Sequence, residues 1–227
     1  MRKVCVFGLG FVGLPLALSF AMRGCRVIGV DIDRQLIEDL NRGITHHLES
    51  YGNRGIQEIL QDELASGRFR ATLDCMEAMS ECNNIIVTVG VPVENGRHDL
   101  SPVTTVCGSI AQGLKPGDLV VIRSTLIPGT TRDVILPILE QSGLKAGTDF
   151  FLAYSSERIA EGRAFYEFEN MPAAVSGINE ESTERAHDLI SIVTKAPIIR
   201  GSQIEVVETA KVMENISRDV NIAMSQE

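Results

Sequence analysis

The residues from Arg2 to Asp33, RKVCVFGLGFVGLPLALSFAMRGCRVIGVDID, allow few ways to fold. Lys3 to Phe7 is a short apolar run rich in β-branched side chains, the pattern of a strand covered on both faces. Gly8, Gly10 and Gly13 follow in the spacing G-x-G-x-x-G, and an apolar-periodic segment from Val12 to Met22 reads as a helix. Arg26 to Val30 is a second buried strand, and Asp31 stands at its end, 18 residues past Gly13. Strand, glycine turn, helix, strand and acid agree with a dinucleotide-binding unit. Gly8 permits the tight turn, Gly10 lets the backbone approach a pyrophosphate, and Gly13 lets helix and strand pack closely. The pyrophosphate would sit at the helix N-terminus, facing unpaired N–H groups and the positive end of the dipole. A carboxylate at Asp31 accepts from an adenosine ribose and repels a 2′-phosphate, so NAD is expected over NADP; Arg34 nearby works against that preference. A ligand-free glycine turn and a flavin site remain open as readings of the same residues.

The apolar run from Val4 to Met22 also follows two basic residues, as a signal peptide or membrane span would. Gly8, Gly10, Gly13 and Pro15 interrupt it, no small-x-small cleavage site is evident near its end, and the second strand runs directly into an acidic turn. A targeting segment is not expected. The net charge of −9 argues against nucleic acid or an anionic membrane as partner. The five cysteines, Cys5, Cys25, Cys75, Cys82 and Cys107, contain no C-x-x-C pair and show neither metal spacing nor a disulfide framework. Free core thiols in a reducing cytoplasm are the expectation.

Further along, Arg34 to Asn41 is expected as a helix closed by Gly43, and residues 44 to 54 as a loop near the cofactor. Its adjacent His46 and His47 lack the carboxylate cluster of a metal site, so no metal is expected. Helices are expected over Ile56 to Ala65, from Ser101 (as N-cap, with Pro102 at N1) to Gln112, from Thr130 to about Gln141, and over Asn179 to Val193. Strands are expected at Phe69 to Thr72, Asn84 to Val89, Leu119 to Ile122, Phe150 to Tyr154, Ala173 to Ser176 and Pro197 to Arg200. The fold class is therefore α/β, a Rossmann-like doubly wound parallel sheet followed by a long C-terminal helix. Residues 1–202 would form the cofactor domain and 203–227 the start of a helical part.

Two polar clusters stand out. Glu157 and Glu161, four apart in SSERIAEG, would share a face if that turn is helical; paired carboxylates beside arginines suit acid/base work, and a solvated ion-paired loop would look the same. In the long helix from Gln203 to Glu227, Val206, Ala210, Met213, Val220 and Met224 form an apolar stripe that seeks burial; Val206, Met213, Ile216, Val220 and Met224 are expected to be partly bare in a monomer and covered by pairing with a second chain. Glu208, Lys211, Asn215 and Arg218 form a separate polar line. A surface ion pair accounts for Glu208 with Lys211, but not for asparagine in a helix interior.

Taken in order, GLGFVGLPLA, VDID, TVGVPV, DLSPV from Asp99, RSTLIPGTT, SSERIAEG and VETAKVMENISRDVNIAMSQE resemble the UDP-glucose/GDP-mannose dehydrogenase family across essentially the whole chain. The pattern from Glu214 to Ala223 is most similar to the branch that oxidises UDP-N-acetylhexosamines. The resemblance implies a twofold, NAD-dependent oxidation of the C6 alcohol of a nucleotide sugar to a uronate. It implies NAD contacts at Gly8, Gly10, Phe11, Val12, Gly13, Asp31, Arg34 and Thr125, with Val89 and Pro92 toward the nicotinamide. Thr125 resembles a hydroxyl of a water network beside the sugar, and Glu157 the carboxylate that handles water during thioester hydrolysis. Lys211 and Asn215 resemble the pair that stabilises the oxyanion at C6, while Arg158 and Arg218 complete the expected substrate contacts. Departures stand at Ser156, where proline is usual, and at Val91, where threonine is frequent. The family's nucleophilic cysteine lies in a G-G-x-C motif that none of these five cysteines occupies, so the chain is expected to be an N-terminal portion that binds NAD without turning over. A homodimer through the 203–227 helix is also implied. A β-hydroxyacid or 6-phosphogluconate-type dehydrogenase and a non-catalytic dinucleotide-binding module are the alternatives, the first opposed by RSTLIPGTT and SSERIAEG.

Overall fold

The computed structural model describes residues 1–94, 96–156 and 158–226. It opens with β1 (Lys3–Phe7), α1 (Gly13–Met22), β2 (Arg26–Val30) and α2 (Arg34–Asn41), as the glycine motif requires. A short hairpin, β3 (Ser50–Tyr51) and β4 (Arg54–Gly55), leads to α3 (Ile56–Ala65), β5 (Phe69–Thr72), α4 (Cys75–Glu81) and β6 (Asn84–Val87). A second hairpin, β7 (Val93–Glu94) and β8 (Arg97–His98), precedes α5 (Ser101–Gly113) and β9 (Leu119–Ile122). After β9 come a π-helical turn (Thr131–Ile135), α6 (Leu136–Leu139) and a 3-10 turn (Glu140–Ser142). The chain continues through β10 (Phe151–Ser155), α7 (Ala164–Asn170), β11 (Ala173–Gly177), α8 (Glu180–Ile190) and β12 (Ile198–Arg200) to α9 (Ile204–Gln226).

Eight strands form one sheet in the order β12-β11-β10-β9-β6-β1-β2-β5. From β1 the chain winds outward through β2 and β5, then returns to the other side of β1 with β6 and winds outward again. This puts a topological switch point between β1 and β6, where open α/β sheets bind their ligands. The sheet is the expected doubly wound, mainly parallel one, with a reversal at one edge. β11 pairs antiparallel with β10, so β11 and β12 run against the other six strands.

Alternation along each strand explains the two cores. Val4 and Val6 of β1 face one layer with the aliphatic residues of α1, α3, α7 and α8. Cys5 and Phe7 face the other, against α4, α5, α6 and the first turns of α9. Both faces are covered, which is why the parallel strands read as unbroken apolar runs.

Several local expectations are corrected. Ser101 is the first helical residue rather than the cap; Leu100 holds the cap position, and Asp99 Oδ1 accepts from Ser101 N at 2.9 Å. The helix expected from Thr130 to Gln141 is broken into three pieces. Pro137 has no N–H to offer the carbonyl one turn back, and the widened turn precedes it. The segment expected as a loop over 44–54 carries the β3–β4 hairpin. The described part of SSERIAEG is not helical, and the expected pairing of Glu161 with Glu157 falls on a residue outside the described ones.

The apolar stripe of α9 is partly bare, as expected for the helix in a monomer. The buried residues of α9 are Ile204, Val207, Glu208 and Lys211, while Val206, Met213, Val220 and Met224 are 49–72% exposed. The helix packs on β10, β11 and the π-helical turn through its first turns, and Met213, Ile216, Val220, Ile222 and Met224 beyond them are exposed. Glu208 and Lys211 are therefore core residues, not a surface ion pair. Among the described residues no helix is long and apolar enough to cross a membrane.

Candidate cofactor site

The glycine turn is built by three different constraints. Gly8 has φ +90° and its N–H donates to Val30 O at 2.8 Å, which closes β1 onto β2 before the chain turns. A Cβ on Gly13 would overlap the Gly8 carbonyl and lie 2.7 Å from Thr88 Oγ1, so α1 can approach the turn only at a glycine. A Cβ on Gly10 would meet no heavy atom within 4 Å; its free side faces outward. Thr88 at the end of β6 donates to the carbonyls of Phe7 at 2.9 Å and Gly8 at 2.8 Å, joining the two sides of the switch point.

Asp31 is held ready for use. Its carboxylate accepts from Leu9 N at 2.7 Å and Asp33 N at 3.0 Å, one bond per oxygen. A carboxylate has about four acceptor positions, so two remain for a vicinal diol. Gly8, Gly10, Asp31, Ile32, Val89 and Pro102 line one cavity of about 560 Å³. That is an ordinary volume for a cofactor site. The first turn of α1 carries no acidic side chain to compete with a phosphate for its amides. The residues present thus fit a dinucleotide.

Of the other expected cofactor residues, Phe11 lies in the turn and is exposed, and Val12 is partly buried against the core. Arg34 is exposed at the start of α2, and Pro92 is exposed past the end of β6. Neither lines the cavity.

The expected substrate-side residues come from three segments at the same edge of the sheet. Thr125 is exposed in the turn after β9, which Ser124 anchors by donating to Val89 O at 2.6 Å. Arg158, after β10, is ion-paired with Glu214 of α9 at 2.7 Å and reaches Pro172 O. On α9, Lys211 is buried, Asn215 half-buried and Arg218 exposed. The expected role of Glu157 falls outside the described residues.

Three residues that the sequence reading did not assign organise this edge. Glu208, fully buried, accepts from Gly129 N at 2.6 Å, Thr131 N at 3.0 Å and Thr131 Oγ1 at 2.6 Å. It pins the turn carrying Thr125 to the helix carrying Lys211, one helical turn away. Glu49 accepts from Gly162 N and Ala164 N, tying the loop after α2 to the segment after β10. Thr88 is the third. The polar line on α9 was the sequence signal for Glu208, TVGVPV carried Thr88 without giving it this role, and nothing marked Glu49.

A doubly wound sheet with a glycine turn, an acid at the end of its second strand and a cavity at its switch point defines a dinucleotide-binding domain of the dehydrogenase kind. The comparisons refine this class. Residues 2–222 match the NAD binding domain of the UDP-glucose/GDP-mannose dehydrogenase family, and the chain belongs to that family. Its cofactor is NAD. It is 37% identical over 227 residues to the UDP-N-acetyl-D-glucosamine 6-dehydrogenase of Pseudomonas aeruginosa, covering 99% of this chain and 51% of that protein. It is 33% identical to the UDP-N-acetyl-D-mannosamine dehydrogenase of Pyrococcus horikoshii, covering 99% and 52%. The solved structure of the Pyrococcus enzyme superposes with a TM-score of 0.92 over 98% of this chain and 52% of that one. A ternary complex of GDP-mannose dehydrogenase from Pseudomonas aeruginosa, 31% identical, also gives 0.92, over 100% and 52%. The chain spans about half the length of the curated relatives it matches.

Proposed function

We propose that this chain is the NAD-holding part of a nucleotide-sugar 6-dehydrogenase whose substrate is a UDP-N-acetylhexosamine. The observation that carries the reading is the buried Lys211, set on α9 and fixed through Glu208 to the turn that presents Thr125. Oxidation of an alcohol needs a fixed cation or donor beside the oxygen that loses its proton, and burial on α9 holds the Lys211 side chain in place for that role. NAD supplies the hydride acceptor. Gly8, Gly10 and Asp31 hold its adenosine and pyrophosphate, Val89 and Pro92 shape the nicotinamide end, and Lys211 with Asn215 steadies the C6 oxygen. Arg158 acts through Glu214 and α9 as well as on substrate, and Arg218 stands farther out on the exposed part of the helix.

The second oxidation needs a thiol to hold the aldehyde as a covalent adduct. Cys5, Cys25, Cys82 and Cys107 are buried and Cys75 is half-buried; none lines the cofactor cavity. Burial pushes the Cys25 and Cys75 thiols up, and that of Cys107 up to about 12. The 227-residue chain is therefore expected to bind NAD but form no uronate from UDP-N-acetylglucosamine or UDP-N-acetylmannosamine. Product analysis showing uronate from the purified chain would place the chemistry elsewhere.

Cofactor preference rests on Asp31. NAD is expected to bind more tightly than NADP, and Asp31→Ala to narrow the gap by about tenfold, the effect of one charge-assisted contact of about 1.4 kcal/mol. Equal binding of both cofactors to the unaltered chain, measured by calorimetry, would contradict this role.

The exposed stripe on α9 is proposed to pair with its symmetry mate in a homodimer, since a two-fold contact covers the same stripe twice. Light scattering is expected to show a dimer for the whole chain and a monomer for a version ending at Ser202. A monomeric whole chain would remove this reading.

A further inference from the structure

We propose that Glu49 is a positioning residue that makes the glycine turn and the loop carrying Arg158 respond as one unit, so that NAD steadies the substrate side. The proposal rests on the NAD reading above. Glu49 is 3% exposed, and the chemistry assigned so far does not use it. Its Oε1 accepts from Gly162 N at 2.7 Å and its Oε2 from Ala164 N at 2.8 Å. Burying a carboxylate is costly unless donors meet it, and here both oxygens are met by one segment.

The origin of this clamp sets it apart. α2, α4 and α8 are capped by the residue just before them, Asp33, Asp74 and Asn179. Arg163 stands in that position before α7, and a guanidinium has no acceptor to offer. The start of α7 is held instead by a side chain from the cofactor half of the sheet, 115 residues earlier. The preceding loop is held by carboxylates at alternate residues. Arg158 pairs with Glu214 of α9 at 2.7 Å, and Ala160 N donates to Glu167 Oε2 of α7 at 2.5 Å. Of the three carboxylates, Glu49 is the one that belongs to the cofactor half.

Glu49 also sits at the centre of a bridge to the glycine turn. Two residues before it, the His47 ring meets Phe11 edge-on at 5.6 Å between centroids, and Thr45 Oγ1 lies 2.7 Å from His47 Nδ1. Two residues after it, Tyr51 meets Phe165 of α7 edge-on at 6.1 Å and donates to Glu169 Oε2 at 3.1 Å. The Glu49 carbonyl accepts from Ile56 N at 2.8 Å, at the start of α3, which packs on α1. Phe11 belongs to the turn that faces the pyrophosphate. A bound dinucleotide therefore restrains Phe11, then His47, and through Glu49 the amides of Gly162 and Ala164. Coupling of this kind needs no change of shape, because a segment already ordered at one end costs less to order at the other. It is reciprocal, so whatever orders the loop tightens NAD in turn.

Hydrogen exchange of the 227-residue chain, with and without saturating NAD, tests this. NAD is expected to slow exchange of the Gly162 and Ala164 amides about fivefold more than that of Ser182, which Asn179 Oδ1 holds at 2.9 Å. Ser182 reports the general stabilisation that any bound ligand brings. In H47A, which keeps Glu49 and its two bonds, the excess is expected to vanish while NAD still binds. In E49Q both amides are expected to exchange fast with or without NAD; H47A changes a loop side chain and carries the test should E49Q not fold. Equal slowing at all three amides of the unaltered chain, or an excess that survives in H47A, overturns this proposal and leaves the cofactor reading standing. A chain that binds no NAD overturns both.

Discussion

Replacing Glu208 by alanine is expected to cost the chain about 4 kcal/mol of stability. The side chain is fully buried and accepts three hydrogen bonds from one turn, two from backbone amides and one from the Thr131 hydroxyl. Alanine leaves those donors buried with no water to replace the carboxylate, and each such loss costs about 1–3 kcal/mol. It also removes the negative charge facing the open N-terminal end of the helical run that begins at Thr131. Glu205, one turn earlier, offers the control: it is paired with Arg132 at 2.5 Å, but both side chains are partly exposed. Glu205→Ala is expected to cost under about 1 kcal/mol, as partly exposed ion pairs do. Urea denaturation of both variants decides the matter. If the two midpoints fall equally, Glu208 is not the clamp described, and the fixed relation between Lys211 and the Thr125 turn loses its support.

The contrast between these two glutamates also shows what a linear sequence reveals. Both lie on a helix whose span was readable to within a residue, because helical periodicity is local. Which of them is buried depends on Gly129 and Thr131, distant in the chain and visible only once the π-helical turn after β9 and α9 are side by side. The same holds elsewhere. The first strand–helix–strand unit was legible because its constraints, tight turn, close packing and ribose-facing acid, all lie within one short stretch. α4 carried a readable start signal in Asp74, which caps by accepting from Glu77 N, yet its seven residues show too little periodicity to stand out. α7 has no such signal: its first amide is capped by Glu49, from more than a hundred residues away. The reversal of β11 was hidden for a related reason, since AAVSG reads as buried whichever way the strand runs. The stripe on α9 was legible as a face without cover in a monomer. Periodicity shows that a face seeks cover, not that this chain supplies it.

The second and third glycines of the motif should separate folding from binding. At Gly10 an added methyl group meets nothing within 4 Å, and the residue's φ is not in the left-handed region. Gly10→Ala is therefore expected to leave stability within about 1 kcal/mol of the unaltered chain, and the stiffer unfolded chain favours a small gain. Its methyl projects into the space a pyrophosphate must enter, so NAD affinity is expected to fall about 100-fold, the equivalent of one or two charge-assisted hydrogen bonds. Gly13 behaves differently because its neighbours are backbone. A methyl there overlaps the Gly8 carbonyl and crowds Thr88 Oγ1, and neither can retreat while Thr88 holds the Phe7 and Gly8 carbonyls. Overpacking against a rigid partner costs about 3 kcal/mol or more, so Gly13→Ala should lose stability and NAD binding together. Denaturation and calorimetry on the pair give a two-by-two outcome. A Gly10 variant that unfolds as readily as the Gly13 variant would mean that the open side of Gly10 is structural, and the pyrophosphate would have to approach from another direction.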